Sequence, residues 1–93
     1  MRPIWKYQLK ITDTQDLRLP NKSEIRAIGF DPFGSLCAWV EVDTEETEMW
    51  EHIIHIRGTG QTIPNDACRY ICHVLEGLLI RHIWESDTFV KVV

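Results

Sequence analysis

A chain of 93 residues carries one domain of ordinary size, well below the length at which a hydrophobic core divides. Apolar residues at 44% and charged residues at 26% are globular proportions, which excludes a disordered polyelectrolyte. Ten Lys and Arg against 14 Asp and Glu give a net charge of −4, and the acids concentrate between Glu41 and Glu51, so the remainder is too weakly basic for general nucleic-acid binding.

In chain order, the first element predicted is a strand from Ile4 to Ile11, where Trp5, Tyr7, Leu9 and Ile11 alternate with polar residues and share one face. Thr12-Asp13-Thr14 is a turn, and a short strand follows from Gln15 to Leu19, closed by Pro20-Asn21-Lys22. Asp31-Pro32-Phe33-Gly34 matches a type I turn position by position. It joins Ile25 to Phe30 and Ser35 to Asp43 into a hairpin, the second strand alternating Leu36, Ala38, Val40 and Val42 with Cys37, Trp39 and Glu41. After the acidic segment, read as a loop, the β-branched run His52 to Arg57 forms a strand that ends at Gly58-Thr59-Gly60.

The stretch from Cys68 to Trp84 fits two patterns. Ala67, Tyr70, Ile71, Val74, Leu75, Leu78, Leu79 and Ile83 make a helical stripe behind Asp66 as an N-cap. Against it stand Gly77, which costs about 1 kcal/mol inside a helix relative to Ala, and the alternation of Cys68, Tyr70, Cys72 and Val74. Periodicity leaves both open, and we read two strands turning at Glu76-Gly77. The result is an all-β fold of about seven short antiparallel strands, a small sandwich or barrel over residues 1–85, with residues 86–93 as a tail or edge strand.

No apolar run approaches the roughly 20 residues that span a bilayer, and the start of the chain has no secretory hydrophobic stretch. The expectation is a soluble intracellular protein with no membrane partner, its cysteines Cys37, Cys68 and Cys72 held as thiols.

Three constellations bear on chemistry. Cys68, Cys72 and His73 with His52, His55 and His82 have the residue types of a zinc site, but not the tight-turn spacing, so core cysteines and no metal are expected. A Cys72–His82 nucleophile and base would meet across the hairpin, yet no oxyanion-hole glycine adjoins Cys72, and we expect neither a catalytic centre nor a cofactor. The Gly58-Thr59-Gly60 turn, with Arg57 and Gln61 beside it, offers hydrogen bonds to a polar ligand, and Trp39, His82 and Trp84 are candidates for its stacking wall.

The second candidate surface is the acidic segment, where Glu45, Glu46, Glu48 and Trp50 combine charge with an aromatic anchor suited to a protein partner. Four tryptophans are a surplus for this length. Trp5 is assigned to the core, while Trp39 and Trp50 divide between core and an exposed interface. Surplus aromatics on short strands imply an apolar face covered by a second copy, hence a homo-oligomer.

Trp5-Lys6-Tyr7 with Leu9, Thr12 through Gln15, Leu19-Pro20, Cys37-Ala38-Trp39 with Val42-Asp43, Gly58-Thr59-Gly60 with Ile63-Pro64, Tyr70-Ile71 and His82-Ile83-Trp84-Glu85 follow one another in order. In this order the chain resembles a family of short phage- and prophage-encoded proteins known as a domain of unknown function. The resemblance implies a hairpin between Tyr70 and His82. It also implies an accessory protein in the host bacterial cytoplasm that acts by binding a host protein, as an anti-defence inhibitor. The alternatives are an oligomeric sponge for a polar or nucleotide-like signal and a minor virion or assembly component. The chain departs from the family pattern at Gln61 and at Cys72-His73, which argues against a family-wide catalytic or metal role for those residues.

Overall fold

The computed structural model describes residues 1–92; the side chains of Cys68 and Thr88 and all of Val93 lie outside the described residues. Among the described residues seven strands follow in chain order: β1 (Ile4–Gln8), β2 (Thr14–Pro20), β3 (Glu24–Phe30), β4 (Leu36–Glu41), β5 (Met49–Gly58), β6 (Ala67–Glu76) and β7 (Leu79–Lys91). They form the predicted all-β fold as two antiparallel sheets, one of order β1-β4-β3 and one of order β2-β5-β7-β6. No helix occurs among the described residues.

The core lies between the sheets and follows from strand alternation. Leu36, Ala38, Val40 and Val42 face inward from β4 and the residue after it, and Ile25 and Ile28 join them from β3. Leu17 and Leu19 on β2, Ile54 and Ile56 on β5, Val74 on β6 and Ile83 on β7 complete the cluster from the other sheet. Cys37 sits on the opposite face of β4 yet is fully buried, because the Asp31 turn folds over it.

That turn is clamped. Asp31 Oδ1 accepts the backbone N–H groups of Phe33 and Ser35, both at 2.9 Å, its Oδ2 meets Lys6 Nζ at 2.7 Å, and Gly34 adopts φ +83°. The predicted hairpin is therefore the observed one.

The hairpin at Glu76-Gly77 is also as predicted: Leu75 pairs with Ile80, Glu76 with Leu79, and Gly77 takes φ +59°. The helical spacing in this segment has a physical origin in two β-bulges. Register slips between Ala67 and Arg69 and between Tyr70 and Cys72 each add one residue to β6, so inward positions recur at irregular intervals. A third bulge, between Ile25 and Ala27, explains why Ile25 and Ile28 share a face three residues apart.

The bulges correct the sequence reading of β6. Tyr70 lies opposite Trp84 on the outer face, whereas Cys72 lies opposite Ile83 on the inner face, so the two do not share a side. β1 is shorter than expected and ends at Gln8. Trp5, assigned to the core, is 45% exposed on the edge strand β1, and Ile11, beyond the end of that strand, is also exposed. The acidic segment is a loop only from 42 to 48, and Trp50 belongs to β5. Residues 86–91 continue β7 and pair with β5 through Lys91 opposite Trp50. In that pairing β5 advances two residues from His52 to Ile54 while β7 advances four from Phe89 back to Glu85.

Candidate functional site

The glycine turn is closed by its own neighbours. Gly58 N donates to Gln61 Oε1 at 2.6 Å, Gln61 N donates to Gly58 O at 3.1 Å, and Gly60 holds φ +90°. Arg57 turns back along the strand, where Nη1 donates to the carbonyls of Asp13 and Ile56. Thr59 Oγ1 lies 2.9 Å from His82 Nε2, and Tyr70 OH lies 2.9 Å from His82 Nδ1. Tyr70 packs edge-on to Trp84 at 5.1 Å, so Thr59, Tyr70, His82 and Trp84 form one polar–aromatic strip on the outer face of the larger sheet. Trp39 stands on the outer face of the other sheet, opposite Lys6 and Ala27, and does not join them. The sequence therefore located part of this strip, but Arg57 and Gln61 are already engaged.

A cavity of about 440 Å³ opens at the mouth of the sandwich, where the Asn21–Glu24 segment faces Trp50, His52, Arg69, Glu85 and Phe89. It is built by parity along β5 and β7. His52 shares a face with Ile54, and Glu85 shares one with Ile83, so both polar side chains point inward with core residues. Burial demands partners, and they find each other: His52 Nδ1 lies 2.7 Å from Glu85 Oε2, with their side chains 8% and 3% exposed. A carboxylate only accepts, which places the proton on Nδ1. Arg69, 59% exposed, holds the second Glu85 oxygen.

Phe89 covers His52 at a ring separation of 4.5 Å. Trp50 also lines the cavity, and its Nε1 is buried without a hydrogen-bond partner among the described residues. Lys22, Arg69 and the Asn21 side chain surround the opening with donors.

On the outer face of the same sheet a second arrangement joins three elements. His55, 4% exposed, is held with Nδ1 3.0 Å from Thr14 Oγ1 on the neighbouring β2. Its Nε2 lies 3.2 Å from Asp66 Oδ1, close enough for an ion pair although the ring N–H has no well-directed hydrogen bond. Burial pushes the Asp66 carboxyl up, but the close imidazole of His55, its own backbone N–H and a hydrogen bond from Ser86 bring it below its ordinary value, so it stays ionised. Neither the His52–Glu85–Arg69 group nor the Thr14–His55–Asp66 group was among the sequence candidates.

The acidic segment is largely neutralised from within. Glu41 pairs with Arg2 at 2.7 Å and Arg26 at 2.9 Å, Glu46 with Lys22 at 3.0 Å, Glu48 with Lys91 at 3.3 Å and Glu51 with Arg18 at 3.4 Å. Glu45 is tied by its backbone N–H to Asp43 Oδ1. Cys37 is buried, Cys72 Sγ contacts the Ile28 carbonyl at 3.6 Å, and burial pushes both thiols up. Cys72 and His82 occupy opposite faces, and the expected place of Cys68 in the core lies outside the described residues. Among the described residues no group of three or more His, Cys, Asp or Glu side chains is arranged for a metal ion. No helix there is long and apolar enough to cross a membrane.

Sheets and cavity together define a small all-β sandwich with a polar, aromatic-lined mouth. The chain belongs to the family described as a domain of unknown function (DUF7352), whose pattern covers residues 1–91. No curated protein and no solved structure matches it.

Proposed function

We propose that the protein is a phage accessory protein that captures a small polar or nucleotide-like molecule at the sandwich mouth and withholds it without turning it over. The observation that carries this reading is the cavity of about 440 Å³ walled by the rings of Trp50 and Phe89, with the Trp50 indole N–H buried beside it and without an acceptor among the described residues. Its size falls in the range of small-ligand sites. Its walls combine the aromatic rings of Trp50 and Phe89, the Asn21 amide, Glu24, Lys22 in its pair with Glu46 and Arg69 in its pair with Glu85. That set suits a flat heterocycle bearing polar groups of both hydrogen-bonding kinds. Sequestration of such a signal in the host cytoplasm is one way to act against host defence.

The competing reading, an acidic surface for a host protein, has less support because Glu46 and Glu48 are already paired. Exposed Leu75, Leu78, Leu79 and Ile80 around the last hairpin favour a homo-oligomer, checked by light scattering across a dilution series.

The test is thermal melting with a panel of cyclic and linear nucleotides. A ligand at 100 times its Kd adds about 2.7 kcal/mol of stability. At about 4–8 °C per kcal/mol for a domain of this size, that is a shift of roughly 11–22 °C. The shift should shrink in Trp50→Phe, which keeps a ring but removes the indole N–H, and in Arg69→Ala. No shift with any member, or equal shifts in both variants, overturns the reading.

A further inference from the structure

The outer-face arrangement at Thr14 stands apart from the mouth cavity and carries a different chemistry. The Asp66 carboxylate, 3.2 Å from Nε2, favours a proton on that nitrogen by its charge, although no well-directed hydrogen bond joins them. Nδ1 is then bare, and the hydrogen bond of 3.0 Å runs from the Thr14 hydroxyl to it. A hydroxyl held against an imidazole base, with the base held in turn by a carboxylate, is the order of groups that activates an oxygen nucleophile.

Three further observations fit. His55 is 4% exposed, so the imidazole has little freedom to turn away. Thr14 is exposed and borders a groove of about 420 Å³ that also includes Gln8, Lys10, Thr12 and Gln15. The Gln15 side chain is fixed to the Lys10 backbone by bonds of 3.0 and 2.6 Å, which holds the groove wall in place.

We propose that Thr14 is an acyl-accepting nucleophile, with His55 as its base and Asp66 as the positioning residue, and that the groove takes an activated ester. Thr14 Oγ forms a bond to the acyl carbon, and the ester C–O bond breaks with its electron pair leaving on the departing oxygen. The hydroxyl proton passes to His55 Nδ1 and from there to that oxygen, so the products are acyl-threonine and an alcohol or phenol. Water attacking the acyl-threonine by the same base returns the free hydroxyl and a carboxylic acid.

The probe is p-nitrophenyl acetate with the full chain, read by the p-nitrophenolate burst and by peptide mass mapping. One acetyl group on Thr14, removable by hydroxylamine, is expected. Thr14→Val should abolish the burst and Thr14→Ser should retain it. His55→Gln should slow the burst at least about 100-fold, the lower range of general-base contributions. His55 is buried and its variant is at risk of misfolding, so Asp66→Asn, at a carboxylate 48% exposed, provides the second arm. It should slow acetylation at least tenfold with the melting temperature unchanged, and Asp66→Glu should restore part of the rate. Acetyl groups on Lys10 or the N-terminus in place of Thr14 overturn the proposal, as does a burst undiminished in Thr14→Val or in Asp66→Asn.

Discussion

Removing the Glu85 carboxylate tests how the mouth of the sandwich is held. Glu85→Ala takes away the acceptor 2.7 Å from His52 Nδ1 and leaves that donor inside a site where the His52 side chain is only 8% exposed. An unsatisfied buried donor costs about 1–3 kcal/mol, and loss of a bond to a charged acceptor lies at the upper end of that range. The Arg69 contact adds little, because a guanidinium 59% exposed regains water, which leaves under about 1 kcal/mol for it. The sum is about 3 kcal/mol, or roughly 12–24 °C in melting temperature. Glu85→Gln keeps an oxygen for His52 and loses only the charge, so it should cost about 1 kcal/mol. Urea titrations followed by tryptophan fluorescence give both values. A cycle with His52→Ala should show coupling of about 1–2 kcal/mol between the two positions. If Glu85→Ala melts within about 5 °C of the parent, or the cycle shows no coupling, the two residues do not hold the mouth together.

Two other outcomes follow from the smaller sheet. The hydrogen bond from Lys6, with the backbone N–H groups of Ser35 and Phe33, lowers Asp31 from 3.8 to about 2 against the effect of burial. Its folded value lies below the unfolded one, so its stabilisation is complete above 3.8 and is lost as pH falls through about 2. The melting temperature of the parent should therefore fall more steeply between those limits than that of Asp31→Asn, and parallel curves refute the clamp. Cys37, fully buried and with its thiol pushed up first by burial and then by Asp31, should take iodoacetamide only in denaturant, and mass mapping that finds it labelled in the native protein contradicts this.

The fold was legible where period-2 alternation is uninterrupted. Leu36 to Val42 needs nothing beyond its own pattern, and Asp31 to Gly34 contains a turn with its own clamp. The alternation became obscure where bulges fall, after Ile25, at Cys68 and at Ile71, because one added residue reverses inward and outward positions downstream. The mouth cavity joins residues 33 apart in sequence, His52 and Glu85, and the Thr14–His55 contact spans 41, so neither is a local motif. A signal for the first was present. Glu85 has the parity of Ile83 and His52 that of Ile54, which puts two polar groups on an inward face and calls for partners. The Thr14 contact depends on which strands are neighbours, and alternation does not specify that.

The surplus in β7 beside His52 has a consequence for chain length. Four residues of β7 span the interval that two residues of β5 occupy, an excess of two. Because the excess is even, Phe89 returns to the side that Glu85 faces and reaches the ring of His52. An odd excess would turn Phe89 to the other side and remove an aromatic wall from the mouth. A variant lengthened by a single residue between 86 and 89 should therefore keep its sheets while losing the shape of the cavity.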